Sequence, residues 1–464
     1  MFPTLDFKKT GIALALAMAL TGCAISDAPT QAELAEQAFT NVTRPANWRF
    51  VKTAGDFDAE ALGFSLPPEL VGLIKEAQTH NPDLRIAATR VAQAQAALTV
   101  AGASLLPMIG IGAQGGASPM PTSSLSVDGL ALVATWEIDV WGKTRSGEAA
   151  AQGNSLAAEL DILYARQSLA AGVVKAWLAA VEAQRQIALS RSLLNFSEQQ
   201  LALMQVGQKV GRNSRQDILV SQLAVTNYRG QLLQSEQAGN SAQRALELLL
   251  GRYPAAEIAV ASSLPAVPAP IPVGLPSDLV ERRPDVRAAE NRFRAAFYQV
   301  EVAKKAKLPS ISLTGGVAML DNDLLALQES LDNPVWGLTG TILAPLFTNG
   351  ALDAQIEIKT QQQKESTVLY AKTMLTALNE VEGGLYNEQK LSDRYALVQA
   401  QVADQQRIVD LERIQVTVGN SNQYQLYQQQ MSLASNQLAL LRLHNERLIQ
   451  RVNLHLALGG MYPL

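Results

Sequence analysis

Apolar residues in this chain follow two periodicities, one helical and one extended. Over residues 142–208 they recur at alternating spacings of four and three, which is typical of a heptad-like helical seam. The seam comprises Leu156, Leu160, Leu163, Gln167, Ala170, Val174, Trp177 and Val181. No proline lies between Pro121 and Pro254. At ~1.5 Å per residue, a helix over 142–208 would be ~100 Å long, so we predict an elongated helical hairpin.

The strongest break in this helical pattern lies at residues 206–214. Gly207 and Gly211 are four residues apart, and Asn213 and Ser214 follow as good helix N-caps. We therefore expect the chain to reverse direction here. We also expect Gly211, like Gly419 in the second proline-free span, to adopt a positive φ and to leave no room for a Cβ atom.

The same unit occurs a second time. Another proline-free span runs from Pro345 to Pro463, and within it Gly419 stands 208 positions after Gly211 (419 − 211). The copies contain matching helix starts, Asn81-Pro-Asp-Leu-Arg85 and Arg283-Pro-Asp-Val-Arg287, and matching ends, Gly251-Arg-Tyr-Pro254 and Gly460-Met-Tyr-Pro463. An internal duplication of about 200 residues fixes the architecture more firmly than local propensity does. Each long helix would be flanked by two shorter helices stacked end to end.

Short segments of period two precede each long helix. From Leu130 to Val140 the even positions are apolar, while the later odd positions are Thr135, Glu137 and Asp139. We predict strands at 106–117, 129–140, 309–319 and 335–345. Segments of this length that alternate in polarity are typical of an outer-membrane barrel, although soluble hairpins are the alternative. Because four strands cannot close a barrel, the chain must oligomerise, and two or three copies would supply eight or twelve strands.

The first 22 residues have the pattern of a lipoprotein signal peptide. Lys8 and Lys9 precede an apolar run that ends in Leu20-Thr-Gly-Cys23. The run is too short to cross ~30 Å of hydrocarbon as a helix. We expect cleavage before Cys23 and attachment of diacylglycerol and an N-acyl chain to that residue. Since Cys23 is the only cysteine, no disulfide forms within one chain.

The rest of the chain divides at its prolines. Residues 23–70 are expected to form an extended arm, 71–253 the first repeat, 254–280 a proline-rich linker and 281–464 the second repeat. Removing residues 1–22 leaves 36 basic and 41 acidic residues, a net charge of −5. A nucleic-acid partner is excluded on this charge.

Catalytic signatures are weak. His80, His444 and His455 are the only histidines and do not form a metal-ligand cluster, so no metal or other cofactor is expected. Asp83 and Arg85 could form a catalytic pair, but Asn81, Pro82 and Asp83 suffice as a helix start. We expect a protein that is not an enzyme.

Several motifs together carry a family resemblance. They are the lipobox, the paired Pro-Asp-x-Arg segments, Trp136-Glu-Ile-Asp-Val-Trp-Gly142, Pro345-Leu-Phe347 with Gly350, and the Val-Gly turns. The chain resembles TolC-like outer-membrane factors, specifically the lipoproteins of resistance-nodulation-division (RND) efflux systems. The resemblance implies a mainly α fold with a small β-barrel portion, assembled as a homotrimer with a 12-stranded β-barrel and a 12-helix periplasmic tunnel.

The resemblance also implies a function. The protein would be the lipid-anchored outer-membrane exit duct of a tripartite system, extending into the periplasm and conducting passively through a gated tip. An RND-type inner-membrane pump and a periplasmic adaptor would deliver small molecules to it. A duct for type I protein secretion is the main alternative, and a periplasmic structural coiled coil is a weaker one because it has no need of alternating strands.

The resemblance places adaptor docking at two tips, 206–214 and 414–422. The docking residues would be Val210, Gly211, Arg212, Ser214, Val418, Gly419, Asn420, Ser421 and Asn422. Arg212 and Asn420 stand where the family usually has a large apolar residue. The gate candidates are Asp217, Gln425 and Gln428. Asp217 would either form a ring of carboxylates in a trimer or only favour the dipole of its own helix.

Overall fold

The computed structural model describes residues 27–39, 67–114, 128–267, 283–321 and 335–460. Cys23, the signal peptide and most of the predicted arm lie outside these residues. The chain divides into two compact units. The first contains residues 1–42, 89–160 and 285–373, and the second contains 43–88, 161–284 and 374–464. None of the described helices combines the length and the hydropathy that a membrane span needs.

The described helices and strands repeat in two halves. In chain order they are α1 (Gln31–Ala38), α2 (Pro68–His80), α3 (Pro82–Ala103), β1 (Met108–Gln114), β2 (Asp128–Ile138), α4 (Lys143–Lys209), α5 (Arg215–Leu249), α6 (Pro284–Lys305), β3 (Ser310–Asp321), β4 (Val335–Leu343), α7 (Ala351–Thr417) and α8 (Gln423–Ala457). Helices α4 and α7 have 67 residues each, and α5 and α8 have 35 each. Both pairs are 208 positions apart (351 − 143 and 423 − 215).

The offset is smaller for the helices that precede the strands. Helices α3 and α6 have 22 residues each and begin 202 positions apart (284 − 82). The second copy therefore gains six residues between α6 and α7, in the segment that carries β3 and β4. Length varies where strands and their loops are built, while the long helices keep the same length in both copies.

Glycines with positive φ mark equivalent points of the two copies. They form the pairs Gly142 and Gly350, Gly211 and Gly419, and Gly251 and Gly459, each 208 positions apart. Our sequence alignment of Gly251 with Gly460 was wrong by one residue. Gly459 follows the C-cap Leu458 as Gly251 follows the C-cap Leu250, because a left-handed residue just past the cap ends the helix.

The predicted seam of α4 is buried over only part of its length. Gln167, Ala170, Val174, Trp177 and Val181 are buried. The prediction is wrong for Leu156 of the seam, since 42% of this residue is exposed. Small residues around it are buried instead, namely Ala150, Gly153, Ser155 and Ala157. A Cβ on Gly153 would lie 3.0 Å from the carbonyl oxygen of Asn291, so α6 approaches α4 too closely for large side chains at this contact.

The core of the second unit joins elements of both copies. It packs α2, α4, α5 and α8 around Trp177, which is 1% exposed. Its buried members include Leu70, Ile74, Val173, Val174, Leu178, Leu246, Leu250, Leu448 and Val452. Burying a large aromatic side chain contributes a substantial part of the stability of such a cluster. The duplicated copies therefore share one core in this unit.

The end-to-end order of the short helices is set by a side chain at each junction. Asn81 Oδ1 accepts hydrogen bonds from the backbone N–H groups of Asp83 (2.9 Å) and Leu84 (3.3 Å), which caps α3 as predicted. Asn81 Nδ2 donates to the carbonyl of Leu249, the last residue of α5, at 2.9 Å. One amide thus satisfies the start of α3 and the end of α5.

Arg283 occupies the same junction in the second copy. Its Nη1 atom donates to the carbonyl of Ala457, the last residue of α8, at 3.1 Å, and to Glu380 Oε2 at 2.7 Å. The guanidinium also lies 5.9 Å from the ring centroid of Tyr164. Ala457 lies 208 positions after Leu249, so the same carbonyl is capped in both copies, once by an amide and once by a buried cation.

Side chains of the helices hold the described part of the linker, 254–267, which contains no helix or strand. Glu247 accepts hydrogen bonds from the backbone N–H groups of Ala256, Glu257 and Ile258 at 2.7, 2.8 and 3.0 Å. Burial raises the pKa of the Glu247 carboxyl, but these three donors outweigh burial and the pKa lies below its usual value. His444 Nε2 lies 2.9 Å from the carbonyl oxygen of Pro265.

The expectation of an extended arm is wrong for α1. This eight-residue helix begins with a capping box, in which Thr30 Oγ1 accepts from the backbone N–H of Glu33 and the Glu33 carboxylate accepts from the Thr30 backbone N–H. Leu34 and Ala35 are buried. Tertiary packing of these two residues stabilises a helix that is too short to be stable alone.

Candidate membrane sheet and helix reversals

The four described strands form one antiparallel sheet in the order β1-β2-β3-β4. Strands β1 and β4 each have one neighbour among the described residues, so both edges of the sheet are open. An open edge presents backbone N–H and C=O groups that require a partner if the sheet lies in lipid.

One face of the sheet is apolar across all four strands. The register aligns Ile111 with Leu132, Leu132 with Val317, and Val317 with Trp336. These four residues are 74%, 51%, 45% and 77% exposed, respectively. Residues in register share a face, so they form one exposed apolar row.

The opposite face carries two polar rows, where the alternation in the sequence predicted them, and small or apolar residues elsewhere, among them Ala131, Val133 and Val335. Glu137 aligns with Ser312, and Ser312 aligns with Thr341. Thr135, Thr314 and Thr339 form a second polar row on the same face. An exposed apolar face opposite a face with polar rows is the arrangement of strands that face lipid on one side.

Prolines and helix starts set the strand ends. Strand β2 ends at Ile138 rather than at residue 140, because the Asp139 carboxylate accepts the backbone N–H groups of Thr144 (3.0 Å) and Arg145 (2.9 Å) at the start of α4. Strand β4 ends at Leu343, two residues before Pro345. The predicted positions 115–117 lie outside the described residues.

Two tryptophans tie the ends of the strands to neighbouring backbone. Trp136 Nε1 donates to the carbonyl of Leu105 at 2.9 Å, and Trp141 Nε1 donates to that of Pro309 at 2.7 Å. The bond of Trp136 joins β2 to the residues that precede β1. The bond of Trp141 joins the segment between β2 and α4 to the residue that precedes β3. Indole rings anchored in this way keep a polar end satisfied beside an apolar surface.

The first reversal lies between Lys209 and Arg215. The N–H of Arg212 donates to the carbonyl of Gly207 at 2.8 Å and that of Gly211 to Gln208 at 3.0 Å, which ends α4 in a Schellman arrangement. Ser214 is the N-cap of α5. Asn213 does not cap; its Nδ2 atom donates to the carbonyl of Met204 at 3.0 Å.

The second reversal repeats this geometry with different side chains. The N–H of Asn420 donates to the carbonyl of Gln415 at 2.9 Å, and Asn422 Oδ1 accepts the N–H of Gln425 at 3.0 Å. Ser421 Oγ donates to the carboxylate of Glu412. Glu412 lies 208 positions after Met204, so the residue before the N-cap is tied to the same helix position in both copies. The sequence analysis did not predict this contact, although the 208-residue offset relates the two residues of the first contact to the two residues of the second.

The expected reason for the two reversal glycines was only half right. Gly211 and Gly419 have φ values of 74° and 79°, which disfavour any other residue. Nothing lies within 4 Å of a Cβ built on either glycine, so the expectation of no room is wrong. At Gly207 a Cβ would lie 2.9 Å from Asn213 Cγ, so it would displace the Asn213 side chain from its bond to Met204. Val210 and Val418 are 67% and 60% exposed.

The gate candidates have local partners. Asp217 closes a capping box with Ser214: its Oδ2 atom accepts the backbone N–H and the hydroxyl of Ser214, both at 2.8 Å. These bonds to the backbone and the hydroxyl lower the pKa of Asp217. Gln425 is exposed, and Gln428 Nε2 donates to the Tyr424 hydroxyl at 3.2 Å. Within the described ranges, no group of His, Cys, Asp and Glu residues could hold a metal ion.

The chain is similar in sequence to outer-membrane efflux proteins. It matches the outer membrane efflux protein family over residues 73–252 and 275–460. It is 30% identical over 474 residues to the pyoverdine export outer membrane protein OpmQ of Pseudomonas putida, covering 96% of both chains. It is 26% identical over 462 residues to the cation efflux system protein CusC of Escherichia coli, covering 96% of this chain and 98% of CusC.

A solved structure shares the fold. The open state of the MtrE outer membrane channel of Neisseria gonorrhoeae superposes with a TM-score of 0.80 at 24% identity, covering 90% of this chain and 96% of that one. Sheet, long helices and reversals together thus define an outer-membrane channel component. The chain belongs to the outer membrane efflux protein family. The resemblance and the outer-membrane location inferred from the sequence are confirmed, and the family consists of channel and transport proteins.

Proposed function

We propose that three copies of this chain form the exit duct of a tripartite efflux system. The observation that carries the proposal is the four-stranded sheet with an exposed apolar face and two open edges. Edge β1 of one copy would pair with edge β4 of the next, and three copies would close twelve strands without an unpaired edge. The long helices would form the twelve-helix periplasmic tunnel.

The duct conducts and does not catalyse. Its partners in this proposal are a periplasmic adaptor, which docks on the two reversals, and an RND-type inner-membrane pump, which supplies the cargo. Small molecules are favoured as cargo over secreted protein, because the names of the two relatives specify pyoverdine and cations.

Assembly and transport test the proposal together. The mature protein in detergent should have the mass of a trimer by light scattering and form a pore in planar bilayers. Expression in a strain that lacks its outer-membrane efflux channels should restore resistance to small toxic compounds. A stable monomer, or a trimer that forms no pore, would contradict the proposal.

A lipid on Cys23 is part of the proposal, supported by the signal pattern of residues 1–22. Cys23→Ser should abolish incorporation of radiolabelled palmitate and leave an uncleaved precursor. Equal labelling of the variant and the parent would show that lipid is attached elsewhere or not at all.

If the adaptor docks at the reversals, the size of the side chain at residue 211 should affect efflux more than the backbone strain at that residue does. An L-residue at φ 74° costs ~1–2 kcal/mol, and this cost is the same for alanine and leucine. Gly211→Ala should therefore retain most efflux, whereas Gly211→Leu should lose it while trimers still form, because leucine projects from the docking surface. The same pair of substitutions should act alike at Gly419.

Gly230→Leu is the matched control for these variants. A Cβ at Gly230 also meets nothing within 4 Å, and its φ is not positive, so the substitution adds bulk in α5 outside the reversals. It should leave efflux near the parent level. If Gly211→Ala lost efflux and trimers as severely as Gly211→Leu, the glycine would act only in ending the helix.

We further propose that Asp217 acts on the conducted ions in addition to capping α5. Three carboxylates around one axis attract cations, and aspartates are ionised at neutral pH. The hydrogen bonds from Ser214 act in the same direction, since they lower the pKa of Asp217. Asp217→Asn should reduce the cation preference of single channels in planar bilayers, most clearly at low salt. Unchanged selectivity with a less stable trimer would leave the capping role alone.

A further inference from the structure

The two reversals share a backbone but differ in charge. Equivalent positions 208 residues apart are Lys209 and Thr417, Arg212 and Asn420, and Arg215 and Gln423. Three cations in the first reversal are thus replaced by three neutral side chains in the second. All three cations are exposed, and the described residues contain no ion pair that involves them.

Local stability explains only one of these cations. Lys209 lies in the last turn of α4, where the helix dipole favours a positive charge. Arg215 is the first residue of α5, where the same dipole disfavours it. The nearby anion, Asp217, is occupied by Ser214. Arg212 lies between the helices, where neither dipole accounts for it.

Exposed apolar residues accompany the cations. Val206 and Val210 are 60% and 67% exposed, and Leu219, Val220 and Leu223 of α5 are 57%, 62% and 61% exposed. Arginine is enriched at protein interfaces, and a cluster of exposed apolar side chains is typical of an interaction surface. Charge complementarity then requires acidic groups on the partner.

We infer that the first reversal docks a carboxylate-bearing surface of the periplasmic adaptor, whereas the second docks the adaptor through uncharged contacts. This inference rests on the proposed function and adds the chemistry of the partner. In a trimer the six reversals would alternate between charged and neutral, so an adaptor is placed in register by electrostatics. A lipid surface is the less suitable occupant, because an anionic bilayer offers the same charge to both reversals.

The test uses the adaptor that restores efflux together with the parent channel, purified and applied to immobilised detergent-solubilised trimers. The variant Lys209→Thr, Arg212→Asn, Arg215→Gln gives the first reversal the side chains of the second. It should weaken adaptor binding about tenfold at low salt, and by much less in 0.5 M NaCl, where charges further apart than ~3–5 Å are screened.

A matched control removes three positive charges from elsewhere. Lys75→Thr, Arg90→Asn, Lys364→Gln changes the net charge equally at exposed residues outside both reversals. It should change binding less than twofold. Equal weakening by both triple variants would overturn the inference, since only the total charge would matter. Vesicles of phosphatidylethanolamine with 30% phosphatidylglycerol provide the lipid arm, and a variant that loses vesicle binding but keeps adaptor binding would also overturn it.

Failure of the proposed function gives a different result. The proposed function would be contradicted by the unaltered parent channel if that channel formed no trimer, or if it restored efflux without an adaptor. A parent that assembles, transports and binds its adaptor with no dependence on the first reversal overturns this inference alone.

Discussion

Arginine at Leu338 is expected to prevent the protein from assembling in the outer membrane. Leu338 lies on the apolar face of β4, 66% exposed, and aligns with Gly315 of β3. An arginine that faces the bilayer centre costs ~2–4 kcal/mol per site. A trimer carries the substitution three times, so the total cost approaches the whole stability of an ordinary domain. Heat-modifiable migration on gels should show no trimer, even where the proposed lipid on Cys23 keeps the chain in the membrane fraction.

Thr339→Arg is the matched control, because the same side chain is added one residue away on the opposite face. Thr339 aligns with Thr314 on the polar face, where an arginine remains hydrated. This variant should insert and assemble, with an altered conductance because of the added charge. If both variants assembled equally well, the apolar face would not lie against lipid.

The second large effect is expected at Arg451 in α8. Its side chain is 1% exposed, and its Nη2 and Nε atoms donate to the two carboxylate oxygens of Glu388, with 3.3 Å between Nε and Oε2. Removing one partner of a buried ion pair costs ~3–5 kcal/mol because the other charge remains unpaired. Arg451→Ala should therefore lower the free energy of unfolding by about this amount in a denaturant titration.

The double variant Arg451→Met, Glu388→Leu separates the pair from the packing. Replacing both charges with apolar side chains of similar volume is often neutral or stabilising. Most of the lost stability should then return. A double variant that is as unstable as Arg451→Ala would indicate that the guanidinium acts through contacts other than the Glu388 carboxylate.

The sequence alone identifies the residues behind the first prediction, but it does not identify the ion pair behind the second. Period-two alternation is enough to place Leu338 and Thr339 on opposite faces, since alternate residues of a strand point to opposite sides. The register of the four strands then aligns those faces into one sheet. No pattern in the sequence pairs Arg451 with Glu388, because contacts between helices depend on how the helices are rotated and offset.

The long helices and their reversals were predictable for the same local reason. A 3.6-residue period, the absence of proline and a Gly-Asn-Ser break act through the backbone of a few neighbouring residues. Because the unit is duplicated, each of these features could be predicted at two places in the chain. The structure corrected what depends on the distances between atoms: Gly211 has room for a Cβ, and Leu156 is exposed beside the buried Gly153.

The sequence by itself determined the duplication, the helical hairpins, the apolar strand face and the family. These features follow from periodicity, helix-breaking residues and spacing, which are properties of one segment at a time. Only the tertiary structure decided that Asn81 and Arg283 cap the ends of α5 and α8. The physical reason is that a buried donor must find an acceptor, and which carbonyl it reaches is settled by packing between segments far apart in the chain.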